Sequence, residues 1–278
     1  MTYQSVLHES IGPDVEKIAG LIGDPVRLRV LFSLLDGREA PASELAFRAG
    51  SSPQSASAHL RKLVDGGLLA VRNVGRHRLF RLASADVASA IEGLGSIAPI
   101  MPTASLNQYT KMQRLRCARA CYDHLAGRLG VAVTEALVEG GSLRLRAGVF
   151  DCTPAGTRWF RELGMDVNRL RAERRRFAHA CLDWTERRHH LAGSLGAAML
   201  AQFIGAGWLE RRDSDRALRI TPIGSVQFER LFGIGEHIAG RFDSRRTESR
   251  GPGLARPTRK PEARDDARPV KSGNDIRA

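Results

Sequence analysis

The sequence predicts a mainly α fold with small β-hairpin wings (α+β): an N-terminal winged helix-turn-helix, then a C-terminal region of two related winged-helix-like repeats. Three observations carry this. Two short helical stretches meet at a single glycine, Gly50. Two strand-like stretches follow across the tight connection Val74-Gly75-Arg76-His77. Farther on, His124-Leu125-Ala126-Gly127-Arg128-Leu129-Gly130 is echoed by His190-Leu191-Ala192-Gly193-Ser194-Leu195-Gly196.

In chain order, Val15, Ile18, Ala19, Leu21 and Ile22 form an apolar stripe at helical spacing. Asp24 is a natural N-cap and Pro25 a natural first-turn residue for a second helix, whose stripe is Val26, Val30, Leu31, Leu34 and Leu35. Asp36-Gly37 ends it. A short helix is expected over Ala42–Ala49, and Ser51-Ser52-Pro53 starts another by the same cap-and-proline logic, running to Gly66-Gly67. Leu68 to Asn73 and Arg78 to Leu82 read as the strands of a wing, and Ala85 to Leu94 as a helix. Residues 1–95 thus form one unit, and 96–110, with Pro99 and Pro102, a linker.

Residues 111–236 are expected to hold the duplicated region. Lys111 to about Gly127 has helical periodicity, continued by Val131 to Val138. Leu143 to Asp151 is extended in character, and Thr153-Pro154 opens a helix to Leu163. Thr153-Pro154-Ala155-Gly156 followed by Phe160 is echoed by Thr221-Pro222-Ile223-Gly224 followed by Phe228, so each unit should carry a hairpin, such as Gly207 to Ile220, around a pseudo-twofold axis. Residues 237–278 are rich in Arg, Pro, Gly, Asp and Ser and are expected to be a disordered basic tail.

The 278 residues carry a formal net charge of +13 with 42% hydrophobic residues, enough for packed cores and suited to a polyanionic partner. No apolar run is long enough to span a membrane, and Met1–Ser10 lacks a signal-peptide pattern, so the expected location is cytoplasmic with no membrane partner. There stable disulfides among Cys117, Cys121, Cys152 and Cys181 are not expected.

A helix-turn-helix places its second helix in the major groove. The groove-facing candidates are Gln54, Ser55, Ser57 and His59, with Gln54 able to bond adenine in bidentate fashion. Ala56, Leu60 and Leu63 would lock the other face onto Leu45 and Val30. Arg61, Lys62, Arg76, His77 and Arg78, with Arg72 and Arg81, form a basic cluster suited to phosphates. For His59 a packing role weighs as much as a DNA contact.

These residues resemble the ArsR/SmtB winged-helix repressors through Gly23-Asp24-Pro25-Val26-Arg27-Leu28-Arg29-Val30-Leu31, Ser-Ala-Ser-Ala-His-Leu at 55–60, and Gly67-Leu68-Leu69 leading into a basic wing. The resemblance covers about Val15 to Leu94. It implies a homodimer on a near-palindromic double-stranded DNA operator, dimer contacts from the terminal helices of this unit, and release when an effector binds. Members that sense metals often carry cysteines on the helix matching Ala42–Ala49, where this chain has Ala46-Phe47-Arg48. Sensing is therefore expected in the C-terminal region. The chain also resembles a larger subgroup carrying the stretches Cys-Tyr-Asp-His-Leu-Ala-Gly and Cys-Leu-Asp-Trp-Thr-Glu-Arg, with no effector implied.

Cys117, Cys121 and His124, spaced by four and three, would share one helical face, while Cys181, Asp183, His189 and His190 form a second cluster. Thiolates and imidazoles suit a transition-metal ion. A redox thiol at Cys117 or Cys121, flanked by Arg116 and Arg119, is a second reading. An organic ligand in a pocket lined by Tyr122, Trp184 and His190 is a third, and plain structure a fourth. Cys152 reads as structural, and the run Arg169 to Arg176 as a phosphate-contacting stripe or a solvated face. No HExxH, phosphate-binding glycine loop or nucleophile elbow is present, so the chain is not read as an enzyme. An architectural chromosome binder without an effector is the other class.

Overall fold

Four of the five helices of the N-terminal unit begin where a side chain satisfies their orphan N–H groups; the third starts after Pro41 without a side-chain cap. The computed structural model describes residues 12–99, 101–212 and 215–235, so the expected tail over 237–278 lies outside the described residues. α1 (Val15–Ile22) is capped by Asp14, and α2 (Pro25–Ser33) by Asp24, whose carboxylate accepts from the Val26 and Arg27 N–H groups. α3 (Ala42–Ala49) stops at Gly50, which adopts φ 62°, a left-handed conformation that glycine takes without strain. Ser52 caps α4 (Pro53–Asp65), and α5 (Ala85–Ile97) closes the unit. β2 (Leu69–Val74) and β3 (His77–Leu82) form the wing, and β1 (Ala40–Pro41) adds to β3 in the order β1-β3-β2.

Val30, Leu31, Leu35, Leu45, Leu60, Leu63, Phe80 and Leu82 are buried in one core, with Ala56 also buried on the inner face of α4. At roughly 1.5–3 kcal/mol for each fully buried large apolar side chain, this core holds α4 in place.

The C-terminal region is built twice. The first copy comprises β4 (Arg119–Cys121), β5 (His124–Ala126), α7 (Gly127–Glu139), β6 (Leu143–Arg146), β7 (Val149–Cys152) and α8 (Pro154–Glu162). The second comprises β8 (His179–Leu182), β9 (His189–Ala192), α10 (Gly193–Gly205), β10 (Leu209–Arg211), β11 (Leu218–Ile220) and α11 (Pro222–Phe232). α6 (Leu106–Cys117) leads into the first copy and α9 (Val167–Arg171) joins the two.

The copies exchange parts. The wing of the first pairs with the hairpin of the second, in a sheet ordered β6-β7-β8-β9 with Val149 opposite His179. Reciprocally, the wing of the second reaches the hairpin of the first: Ala217 bridges Arg119, the Leu218 N–H donates to the Ala118 carbonyl and the Ala120 N–H to the Arg216 carbonyl. Likewise α7 packs on β9 and α10 on β5. The shared core includes Leu129, Val133, Leu137, Phe150, Phe160, Leu195, Phe203 and Phe228.

The continuous helix expected from Lys111 to Gly127 is not formed. The helix stops at Cys117, and the chain turns through the β4–β5 hairpin before α7 starts at Gly127. Tyr122 at the turn adopts φ 59°, and Gly127 adopts φ 79° with the Arg116 and Cys117 carbonyls packed where a Cβ would lie. Residues 106–110 of the expected linker are helical, and 96–97 belong to α5.

The N-terminal unit is docked on this region. The Tyr122 N–H donates to the Leu35 carbonyl at 2.6 Å, Arg211 donates to the Asp36 carbonyl, and Arg216 pairs with the buried Glu92 of α5. Gly37 sits at φ 72° with the Tyr122 carbonyl oxygen 2.5 Å from where a Cβ would stand. Gly37→Ala combines backbone strain with that clash and is expected to cost about 1–3 kcal/mol. A thermal-unfolding midpoint unchanged from wild type would contradict this docking geometry.

Candidate functional site

α4 carries the candidate reading head. Gln54, Ser55, Ser57, Arg61 and Lys62 are exposed on its outer face, opposite buried Ala56, Leu60 and Leu63. The Ser57 hydroxyl donates to the Pro53 carbonyl at 3.0 Å, leaving its oxygen lone pairs outward. His59 is turned inward: its Nδ1 is buried 3.6 Å from Asp24 Oδ1, at the α2 cap, so packing outweighs base contact for this residue. In the wing Arg76, His77 and Arg78 are exposed, and Arg78 lies over the Phe80 ring. Arg72 and Arg81 are drawn to Glu39 instead, whose carboxyl is held below its usual range chiefly by hydrogen bonding to Arg72.

The cysteines and histidines regroup. Cys121 faces His124 across β4–β5, and Cys181 faces His190 across β8–β9, so each copy contributes one thiol and one imidazole at directly opposed positions. Donor atoms of the four lie within 4.8 Å of one another, with Cys121 Sγ 4.0 Å from Cys181 Sγ and the two imidazoles stacked at 5.1 Å. Cys117, at the end of α6, is outside this group because the helix that would have aligned it ends there. His189 is also outside: it is exposed, one residue out of phase with buried His190 on the same strand.

Two aspartates back the imidazoles. Asp123 Oδ1 is 3.3 Å from His124 Nδ1, and Asp183 Oδ2 is 3.6 Å from His190 Nδ1. Arg175 holds Asp123 with two nitrogens, and the fully buried Arg119 holds Asp183 at 3.0 Å. Burial opposes charge on Asp183, but Arg119 and His190 outweigh it and hold the carboxyl down to about 2. The Cys121 thiol hydrogen-bonds to Cys181, which together with burial pushes Cys121 up, while Cys181 is held well below the usual thiol range by that bond and by both imidazoles. Burial disfavours charge on His124, yet the neighbouring Asp123 carboxylate and Cys181 sulfur carry it upward; for His190 burial prevails and lowers it. Asp123 and its role are absent from the sequence reading, although Cys-x-Asp recurs at 121–123 and 181–183.

A cavity of about 400 Å³ opens beside the group, between the start of α5 (Ser84, Asp86, Ser89) and the hairpins. Tyr122 lines it, as do Arg174, Arg175, Arg176 and His179. Trp184 and His190 do not, contrary to the sequence-based pocket. Trp184 is taken up under Arg119, whose guanidinium carbon is 4.8 Å from the ring centre. Cys152 is buried by its own helix start, near Thr153 and Thr157.

A family model described as "Helix-turn-helix domain" matches residues 22–72. The uncharacterized HTH-type transcriptional regulator YdfF of Bacillus subtilis (strain 168) is 44% identical over 224 residues, 81% of this chain and 99% of that protein. The chain belongs to the HTH-type transcriptional regulators. An alignment of 224 residues extends far beyond the 22–72 segment that the helix-turn-helix model matches. This regulator is also similar, over about a third of its length, to solved winged-helix proteins. The homodimeric DNA-binding domain of Mb0332 from Mycobacterium bovis, a possible ArsR-family regulator, is 27% identical (35% of this chain, 89% of that one, TM-score 0.30). The cadmium sensor CMTR of Mycobacterium tuberculosis is 29% identical (32% and 93%, TM-score 0.27). No helix among the described residues of this regulator is long and apolar enough to cross a membrane.

Proposed function

We propose that this regulator is a homodimeric repressor of a near-palindromic operator, released when an effector engages the C-terminal region. The carrying observation is the division of α4 into a fully buried inner face and an outer face bearing Gln54, Ser55 and Ser57, flanked by the wing cations. Such a helix reads base edges while Arg61, Lys62, Arg76 and Arg78 engage phosphates. A homodimer is supported by apolar side chains left exposed at the ends of the N-terminal unit, Val15 and Ile18 on α1 and Ile97 on α5. The effector step is supported by the cavity, which has the start of α5 as one wall and the duplicated region as the other. An occupant there bears on the same helix that would carry the dimer contact.

Footprinting on the promoter region of the chain's own gene is expected to show a protected pseudo-palindrome. Gln54→Ala and Ser57→Ala should each weaken operator binding by about 1–3 kcal/mol, and Arg78→Ala should in addition flatten the salt dependence by about one counterion. Wild-type operator affinity in all three variants would sink the reading head; protection indifferent to sequence would favour an architectural binder.

A further inference from the structure

The two hairpins meet at four side chains whose chemistry no DNA contact uses. We propose that Cys121, His124, Cys181 and His190 form a four-coordinate site for one Zn²⁺ ion, which clasps the two copies of the duplicated region together. The donor set is of the Cys₂His₂ type that zinc takes in closed structural sites. Its atoms already converge within 4.8 Å. A tetrahedron with bonds of about 2.3 Å to sulfur and 2.0 Å to nitrogen has edges of roughly 3.3–3.8 Å, so closure on the ion needs side-chain shifts of about an ångström or less.

Two further observations point to an ion. The Nε2 atoms of His124 and His190 are buried with no hydrogen-bond partner, as is His190 Nδ1, an arrangement that native interiors avoid. In both rings the other nitrogen is the one nearest an aspartate, Asp123 or Asp183, and each aspartate is anchored by an arginine. Carboxylates behind imidazoles in this manner set the ring orientation and leave Nε2 to the metal. Two thiolates cancel the charge of the ion, which suits a buried centre.

A disulfide between Cys121 and Cys181 accounts for less. Their sulfurs stand 4.0 Å apart, about twice a disulfide bond, and the bond would leave both orphaned imidazole nitrogens unexplained. The cavity beside the site touches Cys121, His124 and Cys181, so the ion can enter and leave without the copies coming apart.

The test is metal uptake by the full chain, reduced, stripped with a chelator and free of DNA, so that it is read independently of operator binding. Titration with Co²⁺ should give about one ion per chain, tetrahedral ligand-field bands, thiolate-to-cobalt charge transfer from two sulfurs, and full displacement by Zn²⁺. Cys181→Ser and His190→Ala should each lose more than about tenfold in affinity. His124→Cys keeps four donors and should still bind one ion, with charge transfer raised toward that of three sulfurs; this readout survives if the other variants fold poorly. Substoichiometric uptake by the reduced wild type, with both thiols open to titration or joined in a disulfide before reduction, would overturn the site, as would undiminished uptake by Cys181→Ser.

Discussion

Arg119→Ala is expected to lower folding stability by about 3–5 kcal/mol, the cost of stranding a buried charge. Arg119 and Asp183 are both fully buried and meet at 3.0 Å. The guanidinium also donates toward the Leu115 carbonyl and the Thr185 hydroxyl, each at 3.3 Å, and lies on Trp184. Asp183 further accepts the Gly127 N–H at 2.7 Å and the Thr185 N–H at 2.9 Å. Without the arginine a carboxylate remains where water cannot reach it. Arg119→Lys should recover only part of the loss, because a point charge cannot satisfy several acceptors in one plane. Denaturant unfolding at constant slope is the measurement; a loss below about 1 kcal/mol would mean that solvent reaches the pair.

Phe203→Ala is expected to cost about 3–5 kcal/mol through the cavity it leaves. The ring is fully buried, stacked on Trp208 at 5.1 Å and edge-on to Phe228 at 5.2 Å, and so ties α10 to the residue that leads into β10 and to α11. Counting from the matched glycines Gly127 and Gly193, its counterpart in the first copy is Leu137, also buried. Phe203→Leu should accordingly cost well under half as much. Equal losses for the two substitutions in a chemical-denaturation series would show that volume is not what this position supplies.

The N-terminal unit was legible because its signals are local. Asp24 before Pro25, Ser52 before Pro53 and Gly50 between two helices are caps whose geometry depends on a few neighbouring residues, and α2 and α4 begin and α3 ends there. The hairpin at Cys121–His124 was not legible. Its strands are three residues each, too short to show alternation, and the spacing of Cys117, Cys121 and His124 mimics a helical face. Its turn places Tyr122 in a left-handed conformation with no glycine or asparagine to announce it. The choice between His189 and His190 rests on strand parity, visible only once Cys181 is seen opposite His190. The exchange of wings between copies, and the cavity that brings Arg174 to Arg176 beside α5, join residues remote in sequence, and no local pattern encodes them.

The facing pairs Cys121–His124 and Cys181–His190 have a consequence for assembly. One copy alone supplies half a coordination shell, and two separate chains would have to find each other in solution to complete it, with a yield that falls on dilution. Here both halves are carried on one polypeptide, held at an effective concentration set by the connecting segment rather than by expression level. Occupancy of the centre should then track the supply of ion alone, however few molecules of the regulator a cell contains.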